Sequence, residues 1–340
     1  MADGPLQLCV IEGDGIGHEV IPAALSVLAA TGLAFDVYPA MAGWACFQAH
    51  GTALPDSTVA TARAADAVLF GAVSSPSHRV PGYNSPIVAL RRELGLFANL
   101  RPALSAPIPS SRKDVDLLIV RENSEGLYVR QERREGNRAI AERWITHTGS
   151  ARVVRVACDW ACRRDRHLTI VHKANVLPET CGLFRETALA VASDYPDLTV
   201  DEMLVDAMAM RLVTHPERFD VIVTTNLFGD ILSDEAAGLV GGLGLAPSAN
   251  LAATQSPALF EPVHGSAPDI AGQSIANPLA AILSIAMLLD HFGHQGDATR
   301  VRAAVSQVLQ QGPRTPDLGG NATTDEVAHM VEWLLGTETA

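Results

Sequence analysis

Lysine is almost absent from this chain. Of 25 basic residues only Lys113 and Lys173 are lysines, so positive charge is written as arginine nearly everywhere. Basic charge as a whole is also short, leaving a formal net charge of −13. That balance argues against nucleic acid or an anionic membrane as partner, and it means an anionic substrate needs a local cationic site. Long apolar runs are missing too. Segments such as Ala280 to Leu289 are too short to span a bilayer, and no basic stretch followed by a hydrophobic one opens the chain, so a cytoplasmic protein is expected. The five cysteines include no Cys-x-x-Cys pair, as expected of free thiols in a reducing compartment. Cys158 and Cys162 could bracket a metal with His167, but buried helical thiols are the simpler reading. With 340 residues the chain is long enough for two ordinary domains or one large one.

Scarcity makes the retained lysines informative. Lys113 lies in the polar loop Ser110 to Asp114 and needs no special reason. Lys173 ends the strand-like run Leu168-Thr169-Ile170-Val171-His172. An ammonium at the end of a core strand can lose its proton when desolvated, whereas guanidinium stays charged, so Lys173 is a candidate acid/base. A structural lysine snorkelling from a sheet edge is the competing reading.

Two carboxylates form a second candidate. Val221 to Thr225 reads as a buried strand, Asn226-Leu227-Phe228-Gly229 as a loop, and the residues after it as a helix carrying Asp230 and Asp234. Acids four apart share one helical face, here beside a strand end, where open α/β sheets bind ligands. Oxygen donors without histidine or cysteine suit Mg²⁺ or Mn²⁺ rather than zinc. Two acids near a helix start can equally do no more than complement its dipole.

Taken in order, the chain reads as an α/β protein. Leu8 to Ile11, Phe35 to Pro39 and Ala67 to Val73 are strand-like, and helices are expected over about 19–31, 55–65 and 87–94. The glycines at 13, 15 and 17 do not make a dinucleotide fingerprint, because His18 stands where the spacing fails. A Ser/Pro/Gly-rich loop runs from Ser74 to Pro86, and loops of that length are often functional. Ser105 to Asp114 is a candidate domain crossing and Gly238 to Pro247 its return. The strand Leu117 to Val120 ends abruptly in Arg121-Glu122-Asn123, as the strands before Lys173 and Asn226 do. Three strands with polar ends suggest a cleft along one sheet edge. Arg130 to Arg143 reads as a charged arm, and Leu259 to Gly272 as a non-regular segment able to follow a cofactor with main-chain groups.

Several stretches together resemble one family. They are Ile11-Glu12-Gly13-Asp14-Gly15-Ile16-Gly17-His18-Glu19-Val20, Leu90-Arg91-Arg92, Asn99-Leu100-Arg101-Pro102, Arg121 to Tyr128, His172-Lys173-Ala174-Asn175, Asn226-Leu227-Phe228-Gly229-Asp230 and His264-Gly265-Ser266-Ala267-Pro268-Asp269. In this order, from Val10 to Gly320, they resemble the decarboxylating β-hydroxyacid dehydrogenases that act on isocitrate, 3-isopropylmalate, homoisocitrate, tartrate and D-malate. The resemblance implies an isocitrate/isopropylmalate dehydrogenase-like fold, two α/β/α domains sharing a large mixed sheet, and not a Rossmann fold. It implies a large cofactor domain of residues 1–102 and 250–340, a small domain of 103–249 carrying the metal site, and a homodimer, or a tetramer made of two dimers, whose subunits share sites.

Roles follow from the same resemblance. Arg91, Arg101 and Arg121 would grip the substrate's malate core, with Asn175 positioning substrate and cofactor. Asp230 and Asp234, with Asp206 of another subunit, would hold Mg²⁺ or Mn²⁺. Lys173, also donated across the dimer, would be the base at the hydroxyl, and Tyr128 would protonate the enol. His264, Gly265, Ser266, Ala267, Asp269, Ile270, Asn277 and Asp317 would bind the dinucleotide. Asp269 implies NAD, because a carboxylate there accepts from ribose hydroxyls and repels a 2′-phosphate.

Substrate choice falls to the segment from Tyr83 to Val88, with Ser85 and Val88 facing the distinguishing group. That segment resembles one branch acting on homoisocitrate, implying its conversion to 2-oxoadipate in lysine biosynthesis by the aminoadipate route, with isocitrate as a second substrate. Other enzymes of that activity have a basic residue where Val88 stands, leaving Ser85, Asn84 and Arg79 as partners for a distal carboxylate. Ile87 and Val88 would equally accommodate an isopropyl group, as in leucine biosynthesis. A non-catalytic carboxylate-binding protein on the same fold is the alternative from another class.

Overall fold

The computed structural model describes residues 4–78, 80–253 and 256–337. They divide into two compact units: Met1–Leu94 with Ala106–Ser111 and Gly241–Ala340, and Gly95–Ser105 with Arg112–Val240.

The first segment of unit 1 runs β1 (Leu6–Gly13), α1 (Gly17–Ala30), β2 (Phe35–Pro39), α2 (Trp44–His50), α3 (Asp56–Ala64), β3 (Ala67–Ala72) and α4 (Pro86–Glu93). Unit 2 then contains β4 (Ala98–Leu104), β5 (Asp116–Glu122), the hairpin β6 (Glu132–Glu135) and β7 (Arg138–Ala141), α5 (His147–Arg163), β8 (His167–His172), α6 (Thr180–Ala192), β9 (Thr199–Leu204), α7 (Val205–Thr214), β10 (Val221–Thr224) and α8 (Asn226–Val240). The return to unit 1 adds β11 (Pro247–Leu251), β12 (Ala258–Pro262), α9 (Leu279–His291), α10 (Gln295–Gln311) and α11 (Thr324–Thr337).

In unit 1 the strands lie in the order β2, β1, β3, β12, β11. β1 pairs in parallel with β2 and β3, β12 in parallel with β3, and β11 antiparallel to β12. The apolar runs that announce β1 and β3 are buried, and Val20, Ile21, Val27 and Leu28 of α1 are fully enclosed. β1 ends at Gly13 with φ +83°, where a Cβ would come within 1.9 Å of the Ala72 carbonyl oxygen. Only glycine lets the two strand ends meet so closely.

In unit 2 the order is β4, β5, β10, β8, β9, with β4 antiparallel to β5 and the others parallel. Leu117, Ile119, Met208, Leu212, Ile222 and Leu232 share one buried cluster beneath these strands. Thr224 of β10 is in register with Arg121 of β5 and Val171 of β8. The parallel arrangement therefore carries Arg121, Lys173 and Asn226 to one edge of the sheet.

Three details differ from the sequence reading. Asn226 to Gly229 form the first turn of α8 and not a loop, with the Gly229 amide donating to the Thr225 carbonyl. Leu259 to Pro262, read as non-regular, lie in the buried strand β12. The first exchange lies near residue 94, before the expected boundary at 102, because β4 pairs along its whole length with β5, while the return near residue 240 falls within the crossing read from Gly238 to Pro247. Helix α2 carried no local signal: Asp14, distant in sequence, accepts from the Trp44 and Ala45 amides at its start. The charged arm contains the exposed hairpin of β6 and β7. No helix of the described residues is long and apolar enough to cross a membrane.

Candidate active site

Unit 2 gathers five expected residues into one cluster. Arg121 reaches it from the end of β5 with its side chain only 2% exposed. Its Nε and Nη2 donate to Asn226 Oδ1 at 3.0 and 2.8 Å, and its Nη1 to Asp230 Oδ1. The guanidinium lies 5.0 Å from the Tyr128 ring centroid. The Tyr128 hydroxyl donates to Asp230 Oδ2 at 2.5 Å. Arg101 on β4 directs Nε to Asn99 Oδ1 at 2.8 Å and Nη1 to Ser233 Oγ at 2.8 Å and Asp234 Oδ1 at 3.0 Å. Asp230 and Asp234, one helical turn apart on α8, thus sit between two guanidinium groups.

The surroundings set the protonation states. Burial pushes the Tyr128 phenol above its ordinary value, and the bond to Asp230 adds to that, while Arg121 opposes it. The phenol is therefore protonated at neutral pH and able to donate. Burial also raises the Asp234 carboxyl, against the pull of Arg101.

Lys173 and Asp206 form a separate pair. Lys173 follows β8 and donates to Asp206 Oδ1 in the first turn of α7. Its side chain is 22% exposed and that of Asp206 66%. The lysine holds the Asp206 carboxyl below its ordinary value. Asn175 is exposed in the turn that follows. Among the described residues no three acidic, histidine or cysteine side chains are grouped to hold a metal, so Asp206 stands apart from Asp230 and Asp234 within one chain.

Unit 1 holds the remaining candidates. Buried Arg91, on α4, donates from Nη2 to Glu261 Oε1 at 2.7 Å, an oxygen that also accepts from Asn250 at 2.8 Å. Ser85 precedes α4 without capping it through its side chain, and Val88 is half-buried in its first turn. Arg79 lies outside the described residues. The loop after β12 is tied down by main-chain groups: the Ile16 amide donates to the Ser266 carbonyl at 2.9 Å, and Ile270 to Ala267 at 3.1 Å. Ser266 Oγ and Ser74 Oγ are 2.7 Å apart. Asp269 and Gly265 are exposed, Ile270 is half-buried, and Ala267 adopts φ +38°. Burial pushes the His264 imidazole down, so it is neutral at pH 7. Asn277 Nδ2 donates to Asp317 Oδ2 at 3.0 Å.

Sequence reasoning gave no role to Asn99, Asn226, Ser233 or Glu261, which contact the three arginines directly. Asn99 and Asn226 stood in the recognised motifs. Asn99 lies two residues before Arg101 on the same face of β4, a spacing the strand period could have shown. The contact of Asn226 with Arg121, between a helix start and a strand, carries no sequence period. Cys158, Cys162 and His167 are not grouped to hold a metal among the described residues: Cys158 is buried on α5, Cys162 on the same helix is exposed rather than buried, and His167 pairs with Asp201 at 3.2 Å.

The sequence profile of the isocitrate/isopropylmalate dehydrogenase family matches residues 7–332. The chain belongs to this family. It is 59% identical over 326 residues to the isocitrate/homoisocitrate dehydrogenase of Thermus thermophilus, covering 96% of this chain and 97% of that one. It is 49% identical over 325 residues to a 3-isopropylmalate dehydrogenase of Methanothermobacter thermautotrophicus, covering 95% and 96%. The crystal structure of isocitrate dehydrogenase from Methylococcus capsulatus superimposes with a TM-score of 0.93 at 43% identity, over 97% of this chain and 99% of that one. The isocitrate/isopropylmalate dehydrogenase fold, of the α/β class and not Rossmann, is thereby established, as is the decarboxylating dehydrogenase class. Enzymes of this family generally use NAD(P) and a divalent metal. Asp230 and Asp234 fit such a metal by donor chemistry, being oxygen-only and on one face of α8, but supply only part of a coordination shell.

Proposed function

We propose that this enzyme converts homoisocitrate and NAD⁺ to 2-oxoadipate, CO₂ and NADH, with isocitrate as a second substrate, in lysine biosynthesis. The observation that carries this reading is the convergence of Arg101, Arg121 and protonated Tyr128 on the Asp230 and Asp234 pair. Two guanidinium groups suit the carboxylates of a malate core. A protonated phenol suits delivery of a proton to the enol carbon left after decarboxylation.

In this reading Arg91, Arg101 and Arg121 bind the malate core, and Asn175 positions substrate and cofactor. Lys173 takes the proton from the substrate hydroxyl, and Tyr128 protonates the carbon that lost CO₂. Asp230 and Asp234, with Asp206 of a second copy, hold Mg²⁺ or Mn²⁺. When bound, the cation would supply electrostatic stabilisation at the substrate's hydroxyl oxygen and the nicotinamide would supply a hydride acceptor. The exposed Asp206 and Lys173 pair suits donation to a neighbouring subunit, making the functional form at least a dimer. His264, Gly265, Ser266, Ala267, Ile270, Asn277 and Asp317 hold the dinucleotide, and Asp269 selects NAD⁺ through the ribose hydroxyls.

A second reading, 3-isopropylmalate as substrate, is favoured by Val88, an apolar residue beside Ile87 at the start of α4. Parallel kcat/KM measurements with Mg²⁺ and NAD⁺ for homoisocitrate, isocitrate and 3-isopropylmalate separate the two. Preference for the tricarboxylates is expected. Preference for isopropylmalate would assign the pocket to Ile87 and Val88, and no turnover of any would revive a binding protein on this fold.

A further inference from the structure

We infer that Asn226 and Asn99 are positioning residues that aim Arg121 and Arg101 without neutralising them. The inference rests on the reading above of these two arginines as the grip on the substrate's carboxylates. Each guanidinium is held in the same way. Its Nε edge donates to an asparagine amide oxygen, at 3.0 Å for Asn226 and 2.8 Å for Asn99, while its Nη1 faces the acids of α8. Asn226 receives a second bond from Arg121 Nη2 at 2.8 Å, making the contact forked. Its amide orientation is set independently, since Nδ2 donates to the Glu125 carbonyl at 3.0 Å and leaves Oδ1 for the arginine. Both asparagines are buried, 1% and 0% exposed.

The choice of amide over acid is the point. Aspartate has nearly the same shape and would bind a guanidinium more strongly. It would also add a negative charge to a cluster in which two arginines already face Asp230 and Asp234, and the incoming anion would meet a site one charge less positive. An amide oxygen orients the guanidinium and leaves its charge for the substrate. For an asparagine kept only for packing, the change to acid would show in stability, through the buried carboxylate, and not in KM.

Asn226→Asp and Asn99→Asp test this in the full-length enzyme, with wild type assayed on homoisocitrate, isocitrate and 3-isopropylmalate and each variant on whichever wild type accepts. Thermal unfolding is followed alongside. KM is expected to rise about tenfold or more in each variant, by the same factor for every accepted substrate, because the arginines touch only the shared core. The change in kcat should be smaller than that in KM. Asn226→Ala, which loses the aim as well, should lower kcat too. A folded acid variant with KM within twofold of wild type overturns the inference. Should Asn226→Asp fail to fold because the Glu125 carbonyl loses its donor, Asn99→Asp decides by the same criterion. Failure of both to fold makes the amides structural and also overturns it. Absence of turnover by wild type would instead sink the proposed function, so the two failures are distinguishable.

Discussion

Replacing Gly229 by alanine should damage catalysis far more than stability. Gly229 lies in the first turn of α8, where a Cβ would stand 2.7 Å from both Cβ and Cγ of Arg121 and 3.3 Å from its Cα. Ordinary contact begins at 3.4 Å, so something must move by about 0.7 Å. Arg121 cannot retreat, because its strand is paired on both sides, with Asn99 and with Thr224. The helix start moves instead, carrying Asp230 with it. Overpacking of this kind costs about 1–3 kcal/mol, while alanine regains about 1 kcal/mol of helix propensity. The net loss is about 0–2 kcal/mol, and the melting temperature should fall by no more than a few degrees. Misplacement of reacting groups by about 1 Å costs about a hundredfold in rate, so kcat/KM should fall roughly ten- to hundredfold. Gly238 on the same helix is the control. Nothing lies within 4 Å of its Cβ position, so Gly238→Ala should leave activity unchanged and raise stability by up to about 1 kcal/mol. Steady-state kinetics and thermal unfolding of both variants suffice. Gly229→Ala with kcat/KM within twofold of wild type would refute the reasoning.

Three further outcomes are expected. His172, His264 and His291 are each held below the ordinary histidine value by burial, so the unfolded chain binds protons there more readily than the native one. Their stabilising contribution is present above pH 6.5 and lost as pH falls through their depressed native values; a melting temperature unchanged between pH 7.5 and 5 would contradict this. Asp269→Lys should lower kcat/KM with NAD⁺ and raise it with NADP⁺, read as NADH and NADPH formation at 340 nm in absorbance; unchanged NAD⁺ use would remove the ribose argument. Lys173→Ala and Tyr128→Phe should each abolish most turnover alone. Co-expressed, they should regain part of it, since a mixed dimer with shared sites holds one intact constellation, and no regain would place Lys173 in its own subunit's site.

Much of the candidate site was legible before the fold. Lys173 stood out because the chain otherwise writes arginine, and Arg121 because an apolar strand ended in charge. Those signals are local: a buried β-branched run must form a strand, and a polar residue closing it must reach a strand end. The start of α8 was misread because Gly229 is a poor helix former by itself, and what favours it there is the stem of Arg121 on a neighbouring strand. The first turn of α2 was invisible because Asp14, its acceptor, lies some thirty residues away.

Sequence by itself determined the α/β class, the core strands, the polar residues at their ends and the family, because periodicity and motif order are properties of the chain read in line. Tertiary structure alone decided which of those residues touch. Parallel pairing of β5, β10 and β8 set their ends at one edge, and α8 laid Asp230 and Asp234 between Arg101 and Arg121. It also set Asn226 against Arg121 and left Asp206 with Lys173, apart from the other two aspartates. Hydrogen bonds and charges act through space, and the distances across strands that fix them are recorded nowhere in the order of residues.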